Sequence, residues 1–90
     1  MNSTTKKHGD FVGQPIGDKK VTELPGIGAE LAAKLEQAGF PKAYNVLGQF
    51  LVCNKDQGKF LDWMKETCGA NSKQGKACYE ALKEYCNNFV

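Results

Sequence analysis

The chain has 90 residues, of which 41% are apolar, 24% charged and 10% aromatic. That length allows one domain, and that balance excludes both wholesale disorder and a large catalytic cleft between domains. Twelve lysines against ten acidic residues leave a net charge of only +2, so binding of a polyanion must come from local arrangement. No apolar run approaches the roughly 18 residues of a membrane span, which excludes direct membrane insertion. The polar opening MNSTTKKHGD has no hydrophobic signal core, so a reducing compartment is expected.

Residues 1–7 read as a flexible tail in which Ser3, Thr4 and Thr5 stand beside Lys6 and Lys7. A phosphate on any of those hydroxyls would oppose the lysines. A short helix near His8–Val12 is expected to stop at Gly13 and Pro15, and Gly17-Asp18-Lys19-Lys20 then forms a polar linker.

The most informative segment follows. Val21 and Leu24 suit a single helical turn, while Leu31, Ala32 and Leu35 start a second helix. Pro25-Gly26-Ile27-Gly28 between them is too short for anything but a tight hairpin. Its glycines tolerate positive φ and let a ligand approach the backbone closely. Ile27 would tuck inward and lock the turn, and Ala32 is small enough for tight helix packing. Amides at the following helix N-terminus point outward, where the helix dipole favours an anion. Every feature serves a phosphate held by main chain.

Ala43, Val46, Leu47, Phe50 and Leu51 fall at helical spacing, and a second apolar row, Tyr44, Gly48 and Val52, runs beside them. A helix apolar nearly all round in so small a domain needs cover on two sides. A second protomer is the expected second cover, with Gly48 allowing close approach; the alternative is complete burial within one chain. Phe60, Trp63, Met64 and Thr67 predict a further helix, stopped at Gly69. Ser72 is the expected cap of a last helix whose stripe is Cys78, Leu82, Tyr85 and Phe89. Nothing reads as a run of strands, so the fold class is all-α.

The four cysteines include no Cys-x-x-Cys pair, and His8 is the only histidine, so no metal site and no cofactor are expected. Buried structural thiols are the expected state, with at most an intermolecular disulfide under air oxidation. Catalysis would need a base or metal site, and Asp10, Asp18, Asp56 and Asp62 have neither paired nor ligand spacing. No enzyme is expected. Lys7, Lys34, Lys73 and Lys76 are candidate phosphate partners, and the last two share a face at the start of the final helix. Lysine lacks the planar fork with which arginine reads guanine edges, so contacts without sequence readout are favoured.

Residues 21–36 resemble the helix-hairpin-helix motif of DNA-binding proteins at Val21, Leu24, Gly26, Ile27, Gly28, Ala32 and Leu35. The whole chain, as a single domain over 1–90, resembles the barrier-to-autointegration factor family. That resemblance rests on Lys7-His8-x-Asp10-Phe11-Val12, Gly26-Ile27-Gly28, Lys34-Leu35 and Gly39-Phe40-x-Lys42-Ala43-Tyr44. It continues through Val46-Leu47-Gly48-Gln49-Phe50-Leu51-Val52 and Thr67-Cys68-Gly69-Ala70-Asn71.

The resemblance implies a small all-helical homodimer that binds and bridges double-stranded DNA without sequence preference and is not an enzyme. It implies a place in the nucleus, on chromatin and at the nuclear envelope, and also in the cytoplasm. Implied partners are LEM-domain proteins of the inner nuclear membrane, lamins and histones. DNA contacts would fall on Lys7, Gly26, Gly28, Leu31, Lys73 and Lys76, joined by Ile27 and Lys34. Phe40, Leu47, Gly48, Leu51 and Val52 would form the dimer seam and partner groove, and Ser3, Thr4 and Thr5 the phosphorylation sites. The chain departs from the pattern the resemblance implies at Gly9, where a basic residue is usual, at Cys53-Asn54 and Lys59, which differ from the apolar and lysine pattern expected near the dimer seam, at Lys76, where arginine is usual, and at Tyr85, where tryptophan is usual. An alternative is therefore a divergent paralogue acting mainly as a protein-binding adaptor with weakened DNA binding.

Overall fold

In the computed structural model, which describes residues 5–90, each helix starts where a local capping group or turn allows it. Helix α1 spans Lys6–Val12, a 3-10 turn Val21–Glu23, α2 Ala29–Gln37, α3 Ala43–Val52, α4 Gln57–Cys68 and α5 Ser72–Phe89. Among the described residues the only extended pairing is an isolated antiparallel bridge between Lys20 and Lys42. The fold is all-α, as the patterning predicts.

Three local expectations are corrected. The tail reading fails for residues 5–7, because the Thr5 hydroxyl accepts from the His8 amide at 3.0 Å and starts α1 two residues early. Lys6 then pairs with Asp10 one turn on, at 3.1 Å. Ser3 and Thr4 lie outside the described residues. Ser72 does not cap the last helix; it is its first residue. Asn71 caps α5 instead, accepting from the Gln74 amide at 2.8 Å while Gln74 Oε1 accepts from the Asn71 amide at 2.9 Å. Phe89 leaves the predicted stripe: it is exposed and stacks on Tyr85 with ring centroids 4.8 Å apart.

The core collects the apolar stripes around α5. Phe50, Phe60 and Tyr79 meet with centroids 5.5 to 6.2 Å apart, joining α3, α4 and α5. Gly69 ends α4 in the left-handed region at φ 74°, as its place after the periodic run predicts. Tyr85 is buried against Phe11 and accepts from the Ile16 amide at 3.0 Å. Its hydroxyl thereby ties the segment after α1 to the last helix.

All four cysteines are free and buried, in line with the structural-thiol reading. Burial pushes the Cys78 thiol well above the ordinary thiol range, and pushes Cys68 and Cys86 up in the same direction. The consequence for stability has a definite sign. An unfolded chain releases the Cys78 proton near the ordinary thiol value of 9.0, whereas the native chain keeps it. The native state then binds more protons, so stability is complete below that value and falls as pH rises above it, by about 1.4 kcal/mol per pH unit. Urea midpoints at about pH 8 and about pH 10 should show this fall, and Cys78→Ala should lessen it by that one thiol's share, with Cys68 and Cys86 keeping the rest. Equal slopes for the two proteins would refute the assignment.

Candidate nucleic-acid interface

The hairpin turns on one residue, Gly26, held in the backbone region that favours glycine. Leu24 closes the 3-10 turn through its amide to the Val21 carbonyl, and the Ile27 amide donates to the Leu24 carbonyl at 3.1 Å. Gly26 sits at φ 83° between them. Val21, Leu24 and Ile27 are fully buried beneath the turn, as predicted for the two apolar flanks and the locking isoleucine.

The two glycines differ in what surrounds them. A Cβ on Gly26 would meet the Gln74 carbonyl oxygen at 2.5 Å and Ala77 Cβ at 3.1 Å, so Gly26 seats the hairpin on α5. Close approach at this glycine is made by the protein itself. Gly28 has nothing within 4 Å of the equivalent position and is open to a ligand. It is also the first residue of the α2 boundary, and no side chain caps that helix. The amides of its first turn therefore face solvent or an anion.

Charge is brought to this hairpin from two other elements. The Lys7 ammonium on α1 donates to the Ile27 carbonyl at 2.8 Å, which holds a cation at the turn with two N–H groups to spare. Lys76 on α5 lines the same groove of about 710 Å³, together with Thr5, Pro25 and Gly26. The far end of the groove carries Glu80 and Glu84, and there His8 Nε2 lies 2.9 Å from Glu84 Oε1. The groove is cationic at the hairpin and acidic one turn away.

The remaining predicted residues divide. Ile27 and Leu31 have buried side chains, so what they can offer a ligand is main chain. Lys34 does not join the groove: its Nζ lies beside the α4–α5 turn, 3.8 Å from where a Gly69 Cβ would stand. Lys73 is exposed on the first turn of α5 and is likewise not among the groove residues. Ala77, Glu80 and Glu84 were not singled out by the sequence, and Pro25 and His8 were read for the hairpin and the family resemblance and not for this groove; Thr5, an N-capping residue type three before an amide, carried a local signal for its structural role.

On α3, Ala43, Val46 and Phe50 are buried, but the second apolar row is not covered by this chain. In that row Tyr44 is 47% exposed and Val52 73%, and Leu51, expected in the covered first row, is 40% exposed as well, which removes burial within one chain as the explanation. A Cβ on Gly48 would meet nothing within 4 Å. Beside this row, Phe40 packs edge-on to Trp63 at 5.0 Å, and Phe40 and Leu47 are half-buried.

Fold and groove define a small all-helical domain that presents main-chain amides and lysines on one face and an uncovered apolar helix row on another. A family model described as Barrier to autointegration factor matches residues 2–89. The chain is 54% identical over 90 residues to the barrier-to-autointegration factor of Danio rerio, covering 100% of both chains. Identity to the Homo sapiens relative is 53% over 88 residues, 98% of this chain and 99% of that one. The Drosophila melanogaster relative is 52% identical over 90 residues, again 100% of each. The chain belongs to the barrier-to-autointegration factor family.

Proposed function

We propose that this protein is a sequence-independent double-stranded DNA-binding and DNA-bridging homodimer of chromatin and the nuclear envelope. The observation that carries the reading is the Lys7 ammonium fixed 2.8 Å from the Ile27 carbonyl, beside the open Gly28, the uncapped first turn of α2 and Lys76. Amides and lysines hold phosphate oxygens and read no base edges. The motif over 21–36 acts as a helix-hairpin-helix, its first helix reduced to one 3-10 turn. Lys34 and Lys73 supply outlying charge, and Ile27 and Leu31 supply backbone. No catalytic step is part of the proposal.

The uncovered row Tyr44, Gly48 and Val52, with Leu51, supports a twofold seam. Phe40 and Leu47 at its edge support a groove for LEM-domain proteins of the inner nuclear membrane; lamins and histones are further partners that the family resemblance implies. Thr5, at the mouth of the groove, and Ser3 and Thr4 before it are the proposed phosphorylation sites. The adaptor reading with weakened DNA binding draws on Glu80 and Glu84 in that groove.

One titration separates the two readings. If about four phosphates are neutralised per surface, log affinity falls against log salt with a slope near −3.6. Random and designed duplexes of equal length should bind alike. Mobility shifts over a salt series measure both quantities; a slope near zero favours the adaptor, and strong preference for one sequence refutes main-chain phosphate contact.

A further inference from the structure

Helix α1 cannot hold itself in place. Its seven residues fall well below the ~12 at which an isolated helix is even marginal, and Gly9 weakens its centre. The two halves are anchored by different means. The C-terminal half buries Phe11 and Val12, and Asn88 Nδ2 donates to the Val12 carbonyl at 3.0 Å. The N-terminal half, which carries Lys7, buries no apolar side chain. Its ties to the body are polar: Lys7 to the Ile27 carbonyl, and His8 Nε2 with Glu84 Oε1 at 2.9 Å. The His8 ring is 14% exposed, so that second tie sits largely out of solvent on its α1 side.

We propose that His8 and Glu84 form a clamp between α1 and α5 that positions Lys7 on the hairpin. Glu84, though its charge repels DNA, is then a positioning residue that strengthens phosphate binding; this rests on the DNA-binding reading above. Without the clamp the first turn of α1 frays, and the four-carbon stem of Lys7 must be ordered at the expense of binding. Glu80, one helical turn earlier in the same groove, makes no ion pair among the described residues. It reports the effect of bare charge alone.

The test turns on a sign. Removing either carboxylate makes the protein one unit more positive, and simple electrostatics then demands tighter DNA binding. Glu80→Ala should tighten binding to a short random duplex about twofold to threefold, whereas Glu84→Ala should weaken it about fivefold to tenfold. Glu84→Gln keeps an oxygen that accepts from His8, and should bind at least as well as the parent. His8→Ala should copy Glu84→Ala, and neither should add to the loss once Lys7→Ala is present. Without DNA, Glu84→Ala should speed exchange of the Gly9 amide, which bonds the Thr5 carbonyl, about tenfold, and leave the Gly69 amide on α4 unchanged. Tighter binding by Glu84→Ala, or unaltered Gly9 exchange, overturns the clamp. Accelerated Gly9 exchange in a protein that never binds duplex supports the clamp and overturns the DNA reading instead.

Discussion

Gly28→Glu is expected to lower duplex affinity by about a hundredfold or more while leaving the helical spectrum and thermal midpoint unchanged. Space is not the obstacle, since nothing lies within 4 Å of the new Cβ and φ is −95°, a region open to any residue. A carboxylate at the start of α2 also agrees with the helix dipole, so the fold keeps or gains stability. The same charge stands where a phosphate must sit, and it fills the opening through which the amides are reached. Gly26→Ala is the contrasting variant. There the side chain would run into the Gln74 carbonyl at 2.5 Å with φ at 83°, so about 2–4 kcal/mol of stability should be lost. Chemical denaturation and a duplex titration of both variants decide the matter. Normal DNA binding by folded Gly28→Glu would remove the hairpin from the interface.

Gly48→Glu should convert a dimer into a folded monomer and abolish compaction of long DNA. In the single chain this substitution meets open space, and replacing a mid-helix glycine by glutamate gains about 0.5–1 kcal/mol of helix propensity. A monomeric protein would therefore become slightly more stable. A seam formed by Tyr44, Gly48 and Val52 instead buries one carboxylate against its twofold copy, which costs several kcal/mol. Sedimentation, thermal melting and light scattering of long DNA, run on parent and variant together, separate these cases. Short-duplex binding should survive in the monomer because each hairpin is complete within one chain. Compaction of long DNA by a verified monomer would overturn the bridging mechanism.

What could be read in advance follows from the range of each signal. The Pro25–Gly28 hairpin, the two apolar rows of α3 and the Gly69 stop are all local patterns of period or backbone freedom, and all stand in the fold. The caps were half visible: Thr5 and Asn71 are good capping residues, but Ser72 is another, and only the reciprocal bond from Gln74 selects Asn71. The site's tertiary half left no trace. His8 and Glu84 are 76 residues apart, as are Val12 and Asn88, and no periodicity links such pairs. The same limit explains Gly26, where a turn glycine also proved to be a seat for α5.

Helix α5 has eighteen residues, about 27 Å of rise, and the molecule's greatest extent is 27 Å. One rod is thus as long as the body is wide. The hairpin rests on it at Gln74 and Ala77, and α3 reaches it through Phe50 and Tyr79 half a turn further on. Neither face can loosen without disturbing a helix that the other also needs. The proposed DNA surface and the proposed dimer seam should therefore melt as one cooperative unit, and the chain cannot trade rigidity at one for freedom at the other. Only the first turn of α1, tied near the rod's far end, stands outside that unit. Whatever adjusts the grip on DNA without unfolding the protein has that single turn to act upon.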